Sequence, residues 1–243
     1  MPEDTATLAE LLRPVKADPA RSAILLDVDG VLAPIVSRPE DASVPPETRR
    51  ELERLAGRYA IVACVTGRET GVARSIVGAA GVRYAGQHGL ELEPGAAESA
   101  GRVHEFARAW PWDWQETKPL TAAYHYRLAP DEVEARIRLE EVATAALAAG
   151  LRPRWGRMVL EILPPVEATK GTAVRRLLAE TGVQRALYAG DDTTDLDGFA
   201  ALDGLEAAVR VAVVSAEGPS ALGERADMIV GSPEAFRELL AQL

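Results

Sequence analysis

Short apolar runs that end abruptly in acidic or hydroxyl residues constrain the fold of this chain more than any other feature. Ala23-Ile24-Leu25-Leu26 runs into Asp27-Val28-Asp29-Gly30, and Ile61-Val62-Ala63-Cys64-Val65 runs into Thr66-Gly67-Arg68. Unbroken apolar runs of this length read as strands covered on both faces, the mark of a parallel sheet. Ala186 to Ala189 leads likewise into Gly190-Asp191-Asp192, and Val209 to Val214 and Met228 to Val230 are further short apolar runs. Helical patterns separate them: Pro46 to Tyr59, Glu69 to Val77, Lys170 to Thr181 and Pro233 to Leu243, several opened by Pro or Thr. This alternation predicts an α/β fold with a doubly wound parallel sheet, whose ligands sit outside the carboxyl ends of the strands. The acidic clusters fall at those ends.

The alternation breaks from about Leu92 to Pro164. A Gly/Glu-rich loop comes first, then Trp110, Trp112 and Trp114, an alternating segment from Leu120 to Arg127, and a helix from about Pro130 to Ala149. Two short strands follow, Leu151 to Trp155 and Met158 to Leu163, before Pro164-Pro165. The expectation is a small α+β domain over 92–164, inserted into a core made of 1–91 and 165–243. The tryptophans are expected to form an aromatic packing cluster beside the hinge.

The composition is that of an ordinary folded chain, with 47% hydrophobic and 26% charged residues. The net charge of −10 argues against a general nucleic-acid surface, and no stretch approaches the 18 uncharged apolar residues of a membrane span. A cytoplasmic monomer with neither nucleic-acid nor membrane partner is expected. Cys64, the single cysteine, excludes an internal disulfide framework and cysteine-built zinc sites. Only three of the 27 basic residues are lysines, Lys16, Lys118 and Lys170. That scarcity makes each lysine a position to examine: Lys118 and Lys170 fall where a compact ammonium rather than a guanidinium fork suits a site, and Lys16, ahead of the first strand, is put down to chance.

Asp27 and Asp29 at the end of one buried strand, with Asp191, Asp192 and Asp195 after another, bring carboxylates to one sheet edge. Converging carboxylates repel and raise one another's pKa unless a cation neutralises them. Oxygen-only ligands suit Mg²⁺, which takes one or two carboxylates, waters and a substrate phosphate. Thr66, in a Thr-Gly that alone after a strand reads more often as a turn, and Lys170 at a helix start are further polar residues at strand and helix ends. A cation at a helix start opposes the helix dipole, which favours a functional reason for Lys170.

Asp27-Val28-Asp29-Gly30, Thr66-Gly67-Arg68, Lys170 and Gly190-Asp191-Asp192-Thr193-Thr194-Asp195 resemble the four ordered motifs of the haloacid dehalogenase superfamily. The resemblance implies that Asp27 is the nucleophile that takes the phosphoryl group. Asp29 would donate a proton to the leaving oxygen and then draw one from the hydrolytic water. It places Mg²⁺ on the carboxylates of Asp27 and Asp191 and the carbonyl of Asp29, with Asp192 and Asp195 holding metal-bound water or orienting the lysine. It also implies that Thr66 and Lys170 contact the phosphoryl group. Within the superfamily, several segments are similar to trehalose-6-phosphate phosphatases: Leu32-Ala33-Pro34-Ile35, Gly86-Gln87-His88-Gly89-Leu90-Glu91, Glu116-Thr117-Lys118, His125-Tyr126-Arg127 and Arg157-Met158-Val159-Leu160-Glu161-Ile162. By that resemblance Glu116, Lys118, Arg127 and Glu161 reach the sugar hydroxyls or phosphate from a cap over 92–164. Gly67, Arg68 and His88 border the substrate.

The chain departs from the pattern at Val31, Arg157 and Leu163, where Thr, Lys and a basic residue are frequent. The last two lie on the cap and bear on the sugar. The implied reaction is Mg²⁺-dependent hydrolysis of a sugar phosphate, trehalose 6-phosphate first. Phosphatases of sucrose, glucosylglycerol or mannosylglycerate phosphates, and a non-catalytic sugar-phosphate-binding regulator, are the rivals. A phospho-accepting signalling domain needs only about half the length and no cap, and no Gly-X-Gly-X-X-Gly follows the first strand to suggest a dinucleotide site.

Overall fold

In the computed structural model the first apolar run, Ser22–Leu26, is β1 and lies at the centre of a six-stranded sheet, completely buried. The structure describes residues 8–36, 38–156, 158–214 and 219–243; Arg157 lies outside them. The second run is β2 (Ile61–Val65), and β3 (Arg83–Ala85) completes that side of the sheet. The order continues on the other side of β1 after a long excursion of the chain. Every pairing in this sheet is parallel. The strand order therefore reverses between β1 and its later neighbour, and a doubly wound sheet offers its binding crevice at such a point.

The Cα-contact pattern divides the chain into two units, one of residues up to Gly89 with Ala168–Leu243, the other Leu90–Glu167. In the first unit, α1 (Leu8–Ala17) buries Leu12 and Val15, α2 (Pro46–Ala56) buries Leu52 and Leu55, and α3 (Thr70–Val77) buries Ala73 and Val77. Leu12, Val15, Leu52, Leu55 and Val77 join Ile24, Leu26, Val62 and Cys64 in one core. Full burial of each such leucine or valine stabilises by about 1.5–3 kcal/mol.

In the second unit, residues read as a Gly/Glu-rich loop form α4 (Pro94–Ala109) instead. One face of this helix, Ala96, Val103, Phe106 and Ala107, is buried, while a Cβ at Gly101 would meet open space. Burial of that stripe overrides the glycine penalty of about 1 kcal/mol that made the segment look like loop. The antiparallel sheet has the order β4 (Gln115–Thr117), β5 (Ala122–His125), β7 (Val159–Leu163), β6 (Arg152–Gly156). Ala122, Tyr124, Leu160 and Ile162 share a core with α4 and with α5 (Glu132–Ala148), so the alternate positions lie on the opposite face. Asp131 caps α5 by accepting hydrogen bonds from the N–H groups of Val133 and Glu134, both at 2.9 Å. Trp112 and Trp114 meet edge to face at 6.1 Å, and Trp110 stacks on Phe106.

Back in the first unit, α6 (Lys170–Thr181) starts at a reciprocal cap between Thr169 and Thr172. It leads to β8 (Arg185–Gly190), α7 (Asp195–Ala200), β9 (Ala207–Val213), α8 (Ser220–Arg225), β10 (Met228–Val230) and α9 (Pro233–Leu240). The parallel sheet reads β10-β9-β8-β1-β2-β3. Among the described residues no helix is long and apolar enough to cross a membrane.

Candidate active site

Parallel pairing of β1 with β8, Leu26 opposite Ala189, brings Asp27 and Asp191 to the same edge of the sheet. Asp27 N–H still bonds to the Ala189 carbonyl at 2.9 Å, which holds the residue to the strand end, and its own Oδ1 accepts from Val28 N–H at 2.7 Å. The next residues fold back as a turn, with the N–H groups of Leu32 and Ala33 bonded to the Val28 carbonyl. Gly30 sits at φ +76°, and a Cβ there would collide with the Asp191 carboxylate. The glycine thus clears the space in front of Asp191.

Carboxylate oxygens of Asp27, Asp191 and Asp195 lie within 4.8 Å of one another, a grouping able to hold a metal ion. Burial, followed by the charges of Asp27 and Asp195, pushes the Asp191 carboxyl up to about 8. Burial also pushes Asp27 up to about 7, against the opposing pull of Lys170. Two carboxyls that resist ionisation because of their surroundings form an all-oxygen donor set short of positive charge. A divalent cation fits that deficit, and Asp27 and Asp191 are residues of the group that could hold one.

Asp195 is placed differently from the other two. Its Oδ1 accepts from Lys170 Nζ and from the Tyr188 hydroxyl, both at 2.7 Å, and its Oδ2 accepts from the N–H groups of Asp191 and Asp192 at 3.0 Å. Four donors saturate the carboxylate, so it serves as a brace for the lysine and for the loop that carries Asp191. Lys170 is 3% exposed and also contacts Asp27 Oδ2 at 2.7 Å. Burial lowers the pKa of its ammonium, and Asp27 and Asp195 more than reverse that, so Lys170 stays charged. Tyr188 is the participant that sequence reasoning missed. Its only signal was a hydroxyl-bearing ring in an otherwise aliphatic strand, and burial raises its pKa well above the ordinary value. Asp192 is exposed, its Oδ1 accepting from Thr193 N–H at 2.6 Å.

The Thr66-Gly67-Arg68 turn follows β2. Thr66 N–H bonds to the Ala85 carbonyl, and the Thr66 carbonyl accepts from His88 N–H at 2.8 Å, so the turn is tied down on its far side. His88 takes a left-handed conformation, φ 56°, and its ring seats on Gly67, where a Cβ would lie 2.7 Å from Nε2. Arg68 grips Asp29 with two bonds, Nε to Oδ2 at 2.6 Å and Nη2 to Oδ1 at 2.7 Å. Its Nη1 donates to the Pro39 carbonyl at 3.0 Å. The local partner of Arg68 is thus the residue read as the proton donor.

In the second unit the register sets Glu116 opposite Ala123, Ala123 opposite Glu161, and Glu161 opposite Arg154, in one row across the sheet. Lys118 Nζ lies 3.4 Å from Glu161 Oε1, and His125 Nε2 3.3 Å from Glu116 Oε2. Arg127 is exposed just beyond β5. Arg154 joins the group unannounced by any motif, with Nη2 at 2.6 Å and Nε at 3.2 Å from Glu161 Oε2. Burial pushes the Glu161 carboxyl up, but Arg154 and then Lys118 more than offset this, and the group sits below the usual carboxylate range.

A family model described as trehalose-phosphatase matches residues 25–111 and 101–226. The chain belongs to the trehalose-phosphatase family. Among curated trehalose-phosphatase relatives, a trehalose-phosphate phosphatase of Mycolicibacterium paratuberculosis is 35% identical over 207 residues, covering 75% of this chain and 51% of that protein. A probable trehalose-phosphate phosphatase of Sinorhizobium fredii is 31% identical, covering 96% of this chain and 92% of that protein. The chain spans about half the length of the first curated relatives it matches. A solved trehalose-6-phosphate phosphatase related protein shares 26% identity at a TM-score of 0.68, over 90% of this chain and 96% of that one. The Aspergillus fumigatus trehalose-6-phosphate phosphatase shares the fold, at a TM-score of 0.71 and 22% identity over 98% and 97% of the two chains.

Proposed function

We infer that this member of the trehalose-phosphatase family is a Mg²⁺-dependent phosphatase that hydrolyses trehalose 6-phosphate to trehalose and phosphate. The observation that carries the reading is the meeting of Asp27, Asp191, Asp195 and Lys170 at the carboxyl ends of β1 and β8. The relatives named for this activity supply the substrate.

The chemistry divides between residues whose surroundings differ. An Asp27 carboxylate oxygen attacks phosphorus, the bond from phosphorus to the sugar oxygen breaks, and Asp29 delivers a proton to that oxygen. Water then attacks the aspartyl phosphate, Asp29 takes its proton, and inorganic phosphate leaves with Asp27 restored. Lys170, fixed by Asp195, stabilises charge on the transferring group, and Thr66 orients a phosphoryl oxygen through its hydroxyl. Asp27 and Asp191, and by the resemblance the carbonyl of Asp29, would hold Mg²⁺, which would neutralise charge on the anionic substrate. Glu116, Lys118, Arg127 and Glu161 of the inserted unit recognise the sugar, and Arg68 and His88 shape the phosphate end. The enzyme works as a cytoplasmic monomer in this reading.

The test is phosphate release from a panel of sugar phosphates, with Mg²⁺ and with EDTA. Trehalose 6-phosphate should give the highest kcat/KM, and EDTA should abolish release. A stronger response to sucrose 6-phosphate would replace the substrate, and activity untouched by EDTA would remove the metal.

A further inference from the structure

The charged row across the inserted sheet holds one residue that the family resemblance does not assign. Arg154 lies directly opposite Glu161 in the antiparallel β6–β7 pair, so both side chains stand on the same face as close cross-strand neighbours. The two guanidinium contacts, 2.6 Å and 3.2 Å, fall on one carboxylate oxygen, Oε2. The other oxygen, Oε1, has only the long 3.4 Å contact with Lys118. A carboxylate oxygen accepts about two hydrogen bonds, so Oε1 keeps capacity for another donor. Arg154 Nη1 has no hydrogen-bond partner among the described residues. The side chains of Glu161, Lys118 and Arg154 are 18%, 26% and 37% exposed, so the group is sheltered and still reachable.

We propose that Arg154 is a specificity-determining positioning residue, which fixes the Glu161 carboxylate through Oε2 and leaves Oε1 and its own Nη1 as an acceptor and donor pair for adjacent hydroxyls of a sugar. The chemical class recognised is a vicinal diol. One hydroxyl donates to Oε1 while its neighbour accepts from Nη1. A free carboxylate would rotate about its last torsion and lose this discrimination, and the planar fork of arginine holds it where a lysine cannot. The inference rests on the sugar-phosphate reading above, since without a sugar the pair has nothing to select.

The test compares kcat and KM of wild type, Arg154→Ala, Arg154→Lys, Glu161→Ala and the Arg154→Ala/Glu161→Ala double variant, on the preferred sugar phosphate of the panel and on p-nitrophenyl phosphate, which lacks a diol. Arg154→Ala should raise KM for the sugar phosphate roughly tenfold, the loss expected when a hydrogen bond to a charged group is removed, with kcat little changed. p-Nitrophenyl phosphate kinetics should not move. Arg154→Lys should recover less than half of the loss on a logarithmic scale. The double variant should be worse than Glu161→Ala alone by clearly less than the Arg154→Ala loss, because the part of that loss that runs through Glu161 is already gone and only the Nη1 bond remains to lose. Equal losses on both substrates, full recovery by lysine, or additive losses would each overturn the positioning role. If trehalose 6-phosphate is not hydrolysed but another sugar phosphate is, the substrate assignment fails and the Arg154 test stands on the substrate found. If p-nitrophenyl phosphate is preferred to every sugar phosphate, both fail.

Discussion

The two polar clusters of this chain are built to different tolerances. Around Asp27 the side chains of Lys170, Asp27 and Asp195 are between 0% and 7% exposed, and their contacts are 2.7 Å. On the inserted sheet Glu116 and His125 are about half exposed at 3.3 Å, and the Lys118 contact is 3.4 Å. A dry, saturated cluster is stiff, because any side chain that moves leaves a buried charge unpaired at a cost of several kcal/mol. A wet cluster can exchange partners with water or with a hydroxyl at little cost. The difference teaches where variation is permitted: under the proposed function the phosphoryl chemistry would have one arrangement, whereas recognition of the organic group could be retuned by changes on one sheet face.

Asp27→Asn should break the stiff cluster most completely. The amide keeps the shape and a carbonyl oxygen for Lys170 but cannot attack phosphorus, so kcat should fall about 10⁴-fold or more, in line with removal of other enzymatic nucleophiles. The fold should persist, and no phosphoenzyme should be trapped by acid quench. Phosphate release at more than a few per cent of the wild-type rate would remove the nucleophile assignment.

Tyr188→Phe should have the next largest effect and tests whether Asp195 is a brace. The ring stays packed edge to face against Phe199 at 6.0 Å, and only the hydroxyl that donates to Asp195 is lost. Removing one partner of a buried charged acceptor costs about 1–3 kcal/mol, and each kcal/mol is about 2–4 °C in Tm for a chain of this size. A fall in Tm of this order should accompany a drop in kcat with KM nearly unchanged, since Lys170 loses orientation rather than charge. A variant with wild-type kcat and Tm would show that three donors suffice.

Tyr188 also shows what could be read from the chain before its structure. β1, β2 and β8 were legible because strands covered on both faces leave an unbroken apolar run, and the carboxylates at their ends were legible because short-range chemistry repeats in sequence. α6 announced itself through its helical pattern and the threonine that opens it, whereas the return bond from Thr172 emerged only in the structure. The partnership of Tyr188 with Asp195 was not legible, since it depends on how α7 folds back against the end of β8. Arg154 depended on the register of two antiparallel strands, where a slip of one residue would have put it on the other face. α4 was hidden for a third reason: its buried stripe uses two alanines among its four residues, which carry little periodic signal against the glycines beside them.

Crowding of Asp27 and Asp191 predicts how stability depends on pH when no metal is present. In the unfolded chain both carboxyls ionise near 3.8, whereas in the folded chain they keep their protons to about 7 and about 8. Between those limits the folded state binds more protons than the unfolded state, so stability is highest at the acid end and falls as pH rises through this window. In EDTA the Tm of wild type should drop between pH 5.5 and 8 by more than that of Asp191→Asn, which removes one of the two groups. Mg²⁺ should raise the wild-type Tm most at pH 8, the end of the window where the crowded carboxyls have lost most protons and Lys170 is the cation among them. Parallel profiles for the two proteins in EDTA would show that the carboxyls do not oppose each other as their proximity requires.

The smallest effect is expected at the wet cluster. Glu116→Gln removes a charge that is 56% exposed and that, among the described residues, contacts His125, itself 46% exposed, at 3.3 Å. An exposed contact of this kind contributes at most about 1 kcal/mol, so Tm should change by no more than a few degrees and p-nitrophenyl phosphate turnover not at all. A glutamine still accepts a hydrogen bond from a hydroxyl through its carbonyl, so KM for the sugar phosphate should rise less than about fivefold, which is about 1 kcal/mol. Glu161→Gln should raise it more, because that carboxylate is only 18% exposed and anchors two cations at once. If Glu116→Gln instead costs as much as Glu161→Gln, the two ends of the row are equally committed to the sugar. The gradient of rigidity would then run between the two units alone, with none within the inserted sheet.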